Sequence, residues 1–510
     1  MTAAIERLVI LGGGTAGWMT AAALSRLLPP DIKIRLVESE QIGTVGVGEA
    51  TIPHLRQFNT LLGIDENAFV QATGATYKLA IEFNGWGDAG SRYLHPFSGF
   101  GDDLNGIDFH HYFLRARKHR PDLTLDDFSL ASWAARSGRF GPPRPEFPTG
   151  YGYAFHLDAG RYARFLRDYA EARGVERIEG RVAQVEQDPD SGHIRRLHLE
   201  SGQAVEGQLF VDCSGFRALL IGDTLGVGYQ SWRHWLPCNR AVALGSPAMA
   251  EPPPYTRVTA SGAGWIWRIP LQHRTGNGHV YSSDHLSDEQ ACEQLRIAIG
   301  KPAITEPNFI RFEPGYRARS WDKNCVAVGL SSGFLEPLES TSIYLIQMAI
   351  LKLVTYFPNA RCEGPGQDAF NRWMALEYGR VRDFLILHYH ANRRPEAFWQ
   401  QCREMTIPDE LARKLALFKE AAAVEHYEHG LFGLPSWLAV YLGQGVTPDG
   451  CDPRVAGHPP HKVAAHLQGM ADTLKRCAES LPPHAEAVVR GVTGSPAPAE
   501  LSLYGGRYGR

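Results

Sequence analysis

The eight cysteines, at 213, 238, 292, 325, 362, 402, 451 and 477, include no C-x-x-C pair. Thiols spread in this way speak against a disulfide framework or a structural zinc site, and for a reduced, cytoplasmic protein. Long apolar runs are also missing. No stretch reaches 18 apolar residues, and the most apolar helix candidate, 343–357, is interrupted by Gln347 and Lys352. A buried helix is expected there, and no membrane span. A net charge of −3 gives no reason to expect nucleic acid or an anionic membrane as partner. The chain runs almost at once into its first strand, so no signal peptide is expected, and no internal repeat is found.

What is present is a globular composition, 44% hydrophobic and 21% charged over 510 residues. That is enough chain for roughly three domain-sized units, or fewer large ones, and for a sizeable core. Leu8–Leu11 is a short apolar strand. Gly12-Gly-Gly14-Thr15-Ala16-Gly17 follows, then an Ala-rich helix to about Leu28 and a second strand, Ile32–Val37, ending at Glu38. A lone G-x-G-x-x-G is weak evidence. Strand, glycine loop, helix, strand and acid in the right order make a dinucleotide fold, in which the glycines let backbone approach a pyrophosphate at a helix N-terminus. Glu38 would accept from the adenosine ribose hydroxyls.

A second Gly-rich loop, Val45-Gly-Val-Gly-Glu49-Ala50-Thr-Ile-Pro53, exceeds what a plain NAD domain needs. Val211–Phe216 and Asn324–Gly333 add two more strand-end turns, and Arg181–Leu199 reads as paired strands around Asp190-Ser-Gly192. Turns scattered along the chain suit a long, extended FAD, so the FAD-binding part is expected to be discontinuous. The fold class is α/β: a Rossmann-like FAD domain of the flavin monooxygenase type, over 1–340, with substrate-side strands and loops around 75–160 and 230–320. A mostly helical region, 341–510, completes the substrate site.

The chain is organised around Gly333–Ile343, Gly-Phe-Leu-Glu-Pro-Leu-Glu339-Ser340-Thr341-Ser342-Ile343. Ser340, Thr341 and Ser342 read as a helix N-terminus with hydroxyls ready to cap it. Unpaired amides and the helix dipole favour an anion there, with Glu339 just outside. From these residues alone a capped helix with an incidental acid is the commoner reading.

Elsewhere, Lys78–Phe83 alternates as a half-buried strand should, and Tyr93–Phe97 reads as a loop. Asp108–Arg120 reads as a helix carrying His110, His111 and His119, with no carboxylate or cysteine at ligand spacing and so no metal site. Residues 141–149 form a Pro-rich surface loop, and Asp158 caps a helix over Ala159–Arg173. Alternation in Gly264–Pro270 puts Trp265, Trp267 and Ile269 on one face. Helices are expected at 341–357, 366–388, 408–424 and 461–480, and a frayed tail at 504–510.

Three separated elements make the chain resemble the flavin-dependent halogenases of the tryptophan halogenase family: Gly12–Gly17, the W-x-W-x-I-P signature Trp265–Pro270, and Gly333–Thr341. Val47–Pro53, Asp212–Phe216 and Arg380–Tyr389 support it, so the resemblance spans about 5–445. It implies reduced FAD from a separate flavin reductase, addition of oxygen to give a hydroperoxide, and attack by halide to release hypohalous acid. The acid passes through a tunnel to a lysine and a glutamate beside an aromatic substrate. Lys78, within Tyr77–Trp86, corresponds to the family lysine and Glu339 to the glutamate, the two catalytic residues. The FAD contacts implied are Gly12, Gly14, Thr15, Ala16, Gly17, Glu38, Glu49, Ala50, Val182, Leu330 and Ile343. Trp265 and Trp267 belong beside the flavin. Chloride or bromide is expected at the amides of Thr341 and Ser342, where Ser342 replaces the family's usual glycine and leaves the preferred halide open.

His95 and Phe97 match the loop that sandwiches an indole ring. The Tyr/Glu/Phe/Trp-rich stretch that clamps free tryptophan has no clear match; Glu428–Val440 stands there and is shorter. Buried charges need partners, so a neutral indole-like substrate is expected ahead of tryptophan. Halogenation of free tryptophan, an aromatic flavin monooxygenase and a flavin-binding scaffold are the competing readings. A self-contained NAD(P)H enzyme is disfavoured by the single dinucleotide fingerprint. The oligomeric state is open, a homodimer included.

Overall fold

Strand Arg7–Leu11 is apolar at consecutive positions because both of its faces are covered, as in parallel sheets generally. Leu8 and Ile10 enter the main core with Trp18 and Leu36, while Val9 and Leu11 pack on the other side with Val37, Leu197 and Phe210. The computed structural model describes residues 4–41, 48–144, 147, 151–427 and 430–491. Val45–Val47, Glu428, His429, residues 145–146 and 148–149 of the Pro-rich stretch, and the tail 504–510 lie outside the described residues.

Among the described residues, Arg7–Leu11 sits inside a six-stranded sheet. Its order is Trp321–Asp322, Cys325–Ala327, Leu209–Asp212, Arg7–Leu11, Lys33–Glu38, Glu176–Glu179. All neighbours are parallel except the first two. Helix Thr15–Leu27 leaves the central strand through Gly12–Gly14. Gly12 has φ +115°, and a Cβ on it would stand 2.2 Å from the Cys213 carbonyl oxygen; a Cβ on Gly17 would stand 1.8 Å from the Gly12 oxygen. Both glycines therefore allow strand, turn and helix to meet. The hairpin expected at Arg181–Leu199 is present as Val182–Gln187 paired antiparallel with Ile194–Leu199.

A seven-stranded sheet faces the nucleotide sheet's loops. Its order is Asn308–Arg311, Arg240–Pro247, Arg274–Tyr281, Gly264–Pro270, Tyr255–Ser261, Ala80–Asn84, Arg92–Pro96. Trp267 pairs with Gly278, where any Cβ would fall 1.9 Å from the indole ring. Glycine thus makes the room that the tryptophan occupies.

Two expectations for this region are corrected. Tyr93–Phe97 is not a loop: Arg92–Pro96 is the sheet's edge strand, with His95 opposite Ile81. An edge position tolerates the proline at its end. Lys78–Phe83 is not one half-buried strand. Thr76–Lys78 pairs with Ala154–Asp158, and Ala80–Asn84 joins the seven-stranded sheet. Leu79 is the crossover, its amide donating to Pro254 O and its oxygen accepting from Phe97 N. Every side chain from Lys78 to Phe83 is buried. Alternation misleads here because the buried Glu82 is neutralised by Arg92 and Arg257 rather than by water.

The C-terminal part is helical, as expected, with Ser342–Thr355, Pro365–His390, Asp409–Ala421 and Pro460–Glu479. Ala397–Glu404 and Leu434–Gly443 are further helices. The second is buried from Pro435 to Leu442, and a helix covered all round shows no amphipathic period. One apolar cluster joins Leu8, Trp18, Phe83 and Trp265 to Ile343, Phe384 and Trp437. No helix of the described residues is long and apolar enough to cross a membrane.

Gly12→Ala is expected to cost about 1–3 kcal/mol for the forced backbone conformation, and to abolish retention of flavin on desalting. Urea unfolding followed by tryptophan fluorescence, with flavin absorbance of the desalted protein, checks both.

Candidate active site

The carboxyl ends of Arg7–Leu11, Leu209–Asp212 and Lys33–Glu38 open onto one cavity of about 950 Å³, at the upper end of ligand-pocket sizes. Gly12, Gly14, Thr15 and Ala16 line it at one end, and Glu38 lies at the acid position. Glu49, Ala50, Val182, Leu330 and Ile343 line it farther along, as do Trp265 and Trp267 from the seven-stranded sheet. Gly17 is not on the wall; its place is the helix–strand contact. Arg164, Arg167, Arg177 and Arg181, which the sequence pattern did not single out, also line the cavity.

An extended dinucleotide fits this shape. Gly14 caps helix Thr15–Leu27 without a side chain of its own, so the helix's first amides face the cavity for a pyrophosphate. Glu38 accepts from Arg177 Nε at 2.5 Å and Trp18 Nε1 at 3.3 Å, and a carboxylate has lone pairs left for ribose hydroxyls. Burial pushes Glu49 up to about 7. Trp265 is held from behind, its Nε1 donating to Glu336 Oε2 at 2.9 Å, while Tyr389 donates to the same oxygen. Burial raises Glu336 to about 7.

The segment Pro337–Ile343 forms a wall. Pro337, Ser342 and Ile343 line the cavity. Glu339 and Ser340, between them, face Lys78 and the histidines instead. A 3₁₀ turn, Pro337–Glu339, ends at Ser340 in the left-handed region with φ +59°, and helix Ser342–Thr355 starts after Thr341. The expected hydroxyl capping is not what the serine and threonine do. Thr341 makes no side-chain cap, and its Oγ1 is buried without a hydrogen-bond partner among the described residues. Ser340 Oγ accepts from Lys78 Nζ at 2.9 Å. The strained turn spends its hydroxyl on the lysine.

Lys78 is fully buried and also donates to Thr51 O at 2.9 Å. Burial lowers its pKa to about 7, with Glu339 pulling the other way. Its Nζ lies 5.0 Å from the centre of the Phe97 ring. Glu339 is 1% exposed. Oε2 is 2.8 Å from His95 Nδ1, and Oε1 is 2.8 Å from His388 Nε2. Burial pushes this carboxyl up, but the two imidazoles outweigh it and bring it down to about 2. His95 Nε2 lies 2.8 Å from Ser436 Oγ.

The structure thus brings Lys78, Glu339, His95 and Phe97 together, with Pro337–Ile343 and the stretch Glu49–Thr51 between them and the flavin-side residues. It adds His388, Ser340, Ser436 and an aromatic wall. Phe384 stacks on Phe432 at 3.9 Å, with Trp437 edge-on at 5.3 Å and the His95 ring 5.9 Å from Phe384. Phe384 and His388, four apart, share a helix face, a signal already present within Arg380–Tyr389.

The histidine helix holds one correction. Asp108, which caps Phe109–Arg117 without a side-chain bond, puts a carboxylate oxygen within 4.8 Å of ligand atoms of His110 and His111. A carboxylate does therefore stand beside these histidines, at the cap position two and three residues before them. His110 Nε2 donates to Ala422 O at 2.8 Å, and His111 Nδ1 accepts from Asp452 N at 3.1 Å.

Because the folded pKa of Lys78 is depressed, the unfolded chain binds more protons between about 7 and about 10, and stability rises with pH across that window. Lys78→Met removes this slope. Its stability relative to the parent is expected to be greatest below pH ~7 and to fall by about 1–4 kcal/mol towards pH ~10, read by urea unfolding of both proteins across the range.

The pattern of the tryptophan halogenase family matches residues 7–460. The chain is 37% identical over 508 residues to the tryptophan 6-halogenase SttH of Streptomyces toxytricini, covering 94% of this chain and 96% of that one. Two solved structures are closer in sequence. BrvH, a flavin-dependent halogenase from Brevundimonas sp. BAL3, is 47% identical with a TM-score of 0.91, covering 95% of this chain and 99% of that one. Xcc4156, a flavin-dependent halogenase from Xanthomonas campestris, is 46% identical with a TM-score of 0.93, covering 97% and 100%. A dinucleotide cavity walled off from a buried lysine and glutamate, on a chain matched at this length, belongs to the tryptophan halogenase family: the protein is a flavin-dependent halogenase, an enzyme of reduced FAD and halide.

Proposed function

We propose that the enzyme makes hypohalous acid in the flavin cavity and uses it, through Lys78 and Glu339, for electrophilic halogenation of an indole-like aromatic. The observation that carries this reading is the placement of a buried amine and a buried carboxylate directly behind segments that also line the cavity. Bound reduced FAD, with oxygen and halide, supplies the oxidised halogen. A separate flavin reductase is the source of the reduced cofactor.

The chain's own residues take over once the acid has formed. Free hypohalous acid is unselective, so it has to be received away from bulk water. Lys78 has two of its hydrogen-bonding positions fixed by Thr51 and Ser340, which aims the remaining one. With a pKa of about 7, charged and neutral amine are both present near neutrality. The charged form donates a hydrogen bond to the acid, and the neutral form can carry the halogen itself. Glu339 stands ready to take the ring proton, as a positioned base does. Phe97 and the His95–Phe384–Phe432 group supply flat surfaces for an aromatic ring.

For halide, the unpartnered Thr341 hydroxyl and the Ser342 position at the helix start support a site at this N-terminus. For substrate, the described part of the shortened region contributes Leu431, Phe432, Ser436 and Trp437 to the buried interior, which suits a neutral ring better than a zwitterion. SttH is named for tryptophan; for this chain, tryptophan is the second reading.

Mass spectrometry of products, with FAD, a flavin reductase and NADH, tests the proposal. Indole and tryptophan are offered separately with bromide, with chloride and without halide. A halogen isotope pattern is expected, faster with indole, and reduced at least ~100-fold in Lys78→Ala. Faster turnover of tryptophan overturns the substrate reading. A hydroxylated product that forms without halide overturns the whole proposal. In mixed halides, Ser342→Gly is expected to change the bromide-to-chloride product ratio, and an unchanged ratio removes Ser342 from the halide site.

A further inference from the structure

His388 has no part in the chemistry above, yet it is fully buried against Glu339. It lies on helix Pro365–His390, and its Nδ1 is 2.8 Å from the carbonyl oxygen of Phe384. A carbonyl only accepts, so Nδ1 carries the hydrogen. A neutral His388 would then turn a bare Nε2 towards Glu339 Oε1, 2.8 Å away. Two unprotonated acceptors at that distance repel. The pair therefore holds one proton more than a neutral imidazole and a carboxylate would. It meets at ion-pair distance, with neither atom in an aligned hydrogen bond.

The His95 side needs no such proton. A neutral His95 donates from Nδ1 to Glu339 Oε2 and accepts at Nε2 from the Ser436 hydroxyl. The other titratable groups that feel the charge of Glu339 are Lys78 and Tyr93. The rings packed on His388 are Phe83, Trp86 and Phe384, none of which titrates.

We propose that His388 is a positioning residue which, through Glu339, stores the one proton that halogenation must lend and recover. The proposal rests on the Lys78–Glu339 reading. Halogenation of an aromatic ring by hypohalous acid yields the aryl halide and water. The ring's π pair attacks the halogen and forms the carbon–halogen bond, while the oxygen–halogen bond breaks with its pair on oxygen. The departing hydroxide takes the stored proton and becomes water. Glu339 and a now neutral His388 are left one proton short, which makes the carboxylate a stronger base when the ring carbon has a proton to lose. That proton returns to the pair as the carbon–hydrogen bond breaks, and the resting state is restored.

The test is the full-length enzyme with FAD, reductase, bromide and indole, comparing parent, His388→Gln and Lys78→Ala. Glutamine keeps a polar group on the helix but neither gives up nor takes a proton near neutrality. Expected for His388→Gln is a kcat lower by roughly 100-fold with KM within about threefold, unchanged flavin retention, and a pH–rate profile that loses the limb belonging to the pair. A His388→Gln enzyme with parental kcat and pH profile, while the parent brominates and Lys78→Ala does not, overturns the proposal and leaves the Lys78–Glu339 reading intact. Bromination that survives in Lys78→Ala sinks that reading, and this proposal with it. Should the variant fail to fold, [15N]histidine spectra of the parent decide. A buried ring protonated at Nδ1 with a further proton shared at Nε2 near neutrality is expected, and finding every buried ring with a bare nitrogen overturns it.

Discussion

An amine and a carboxylate are buried in one neighbourhood out of water, and much of the structure serves to make that tolerable. An unpaired charge in such a place would cost several kcal/mol. Lys78 is held by a carbonyl and by the hydroxyl of Ser340, and Glu339 by two imidazoles. These partners come from distant parts of the chain: an edge strand, a strained turn and a long helix. The helical part is therefore more than a lid. Without Pro365–His390 the carboxylate would lose one of its two imidazoles.

The turn at Ser340 shows how backbone strain is used. A non-glycine residue with φ +59° costs of order 1–3 kcal/mol. Here it sends neighbouring side chains to opposite sides of one strand of polypeptide. Pro337 and Ser342 face the cavity, and Glu339 and Ser340 face the lysine. A regular helix begun three residues earlier would have carried these side chains around a cylinder and blurred the partition.

Much of this was legible in the sequence. The nucleotide strand, glycine turn and helix were readable because Gly12 and Gly17 each meet a steric demand that local pattern reports. The Trp265–Ile269 alternation was readable because a sheet face has period two. The resemblance named Lys78 and Glu339, and the structure brings them together. What could not be read were contacts with no local signature. Glu82 is buried because Arg92 and Arg257 reach it from other strands. His95 lies on a strand because its partner, Ile81, is fixed by register across a crossover at Leu79. Leu434–Gly443 is apolar all round and so has no period to detect. The Ser340 and Thr341 hydroxyls were read by the commonest use of their residue types, and in one case the lysine had the stronger claim.

The two sides of the Pro337–Ile343 wall are built by different parts of the fold. Sheets and their glycine turns shape the flavin cavity, whereas Pro365–His390 and Leu434–Gly443 supply the aromatic surfaces beyond it. On the proposed reading, oxidant production and choice of substrate therefore rest on different elements of the fold. Substitutions on those two helices would then reshape the aromatic surfaces without touching the walls of the cavity.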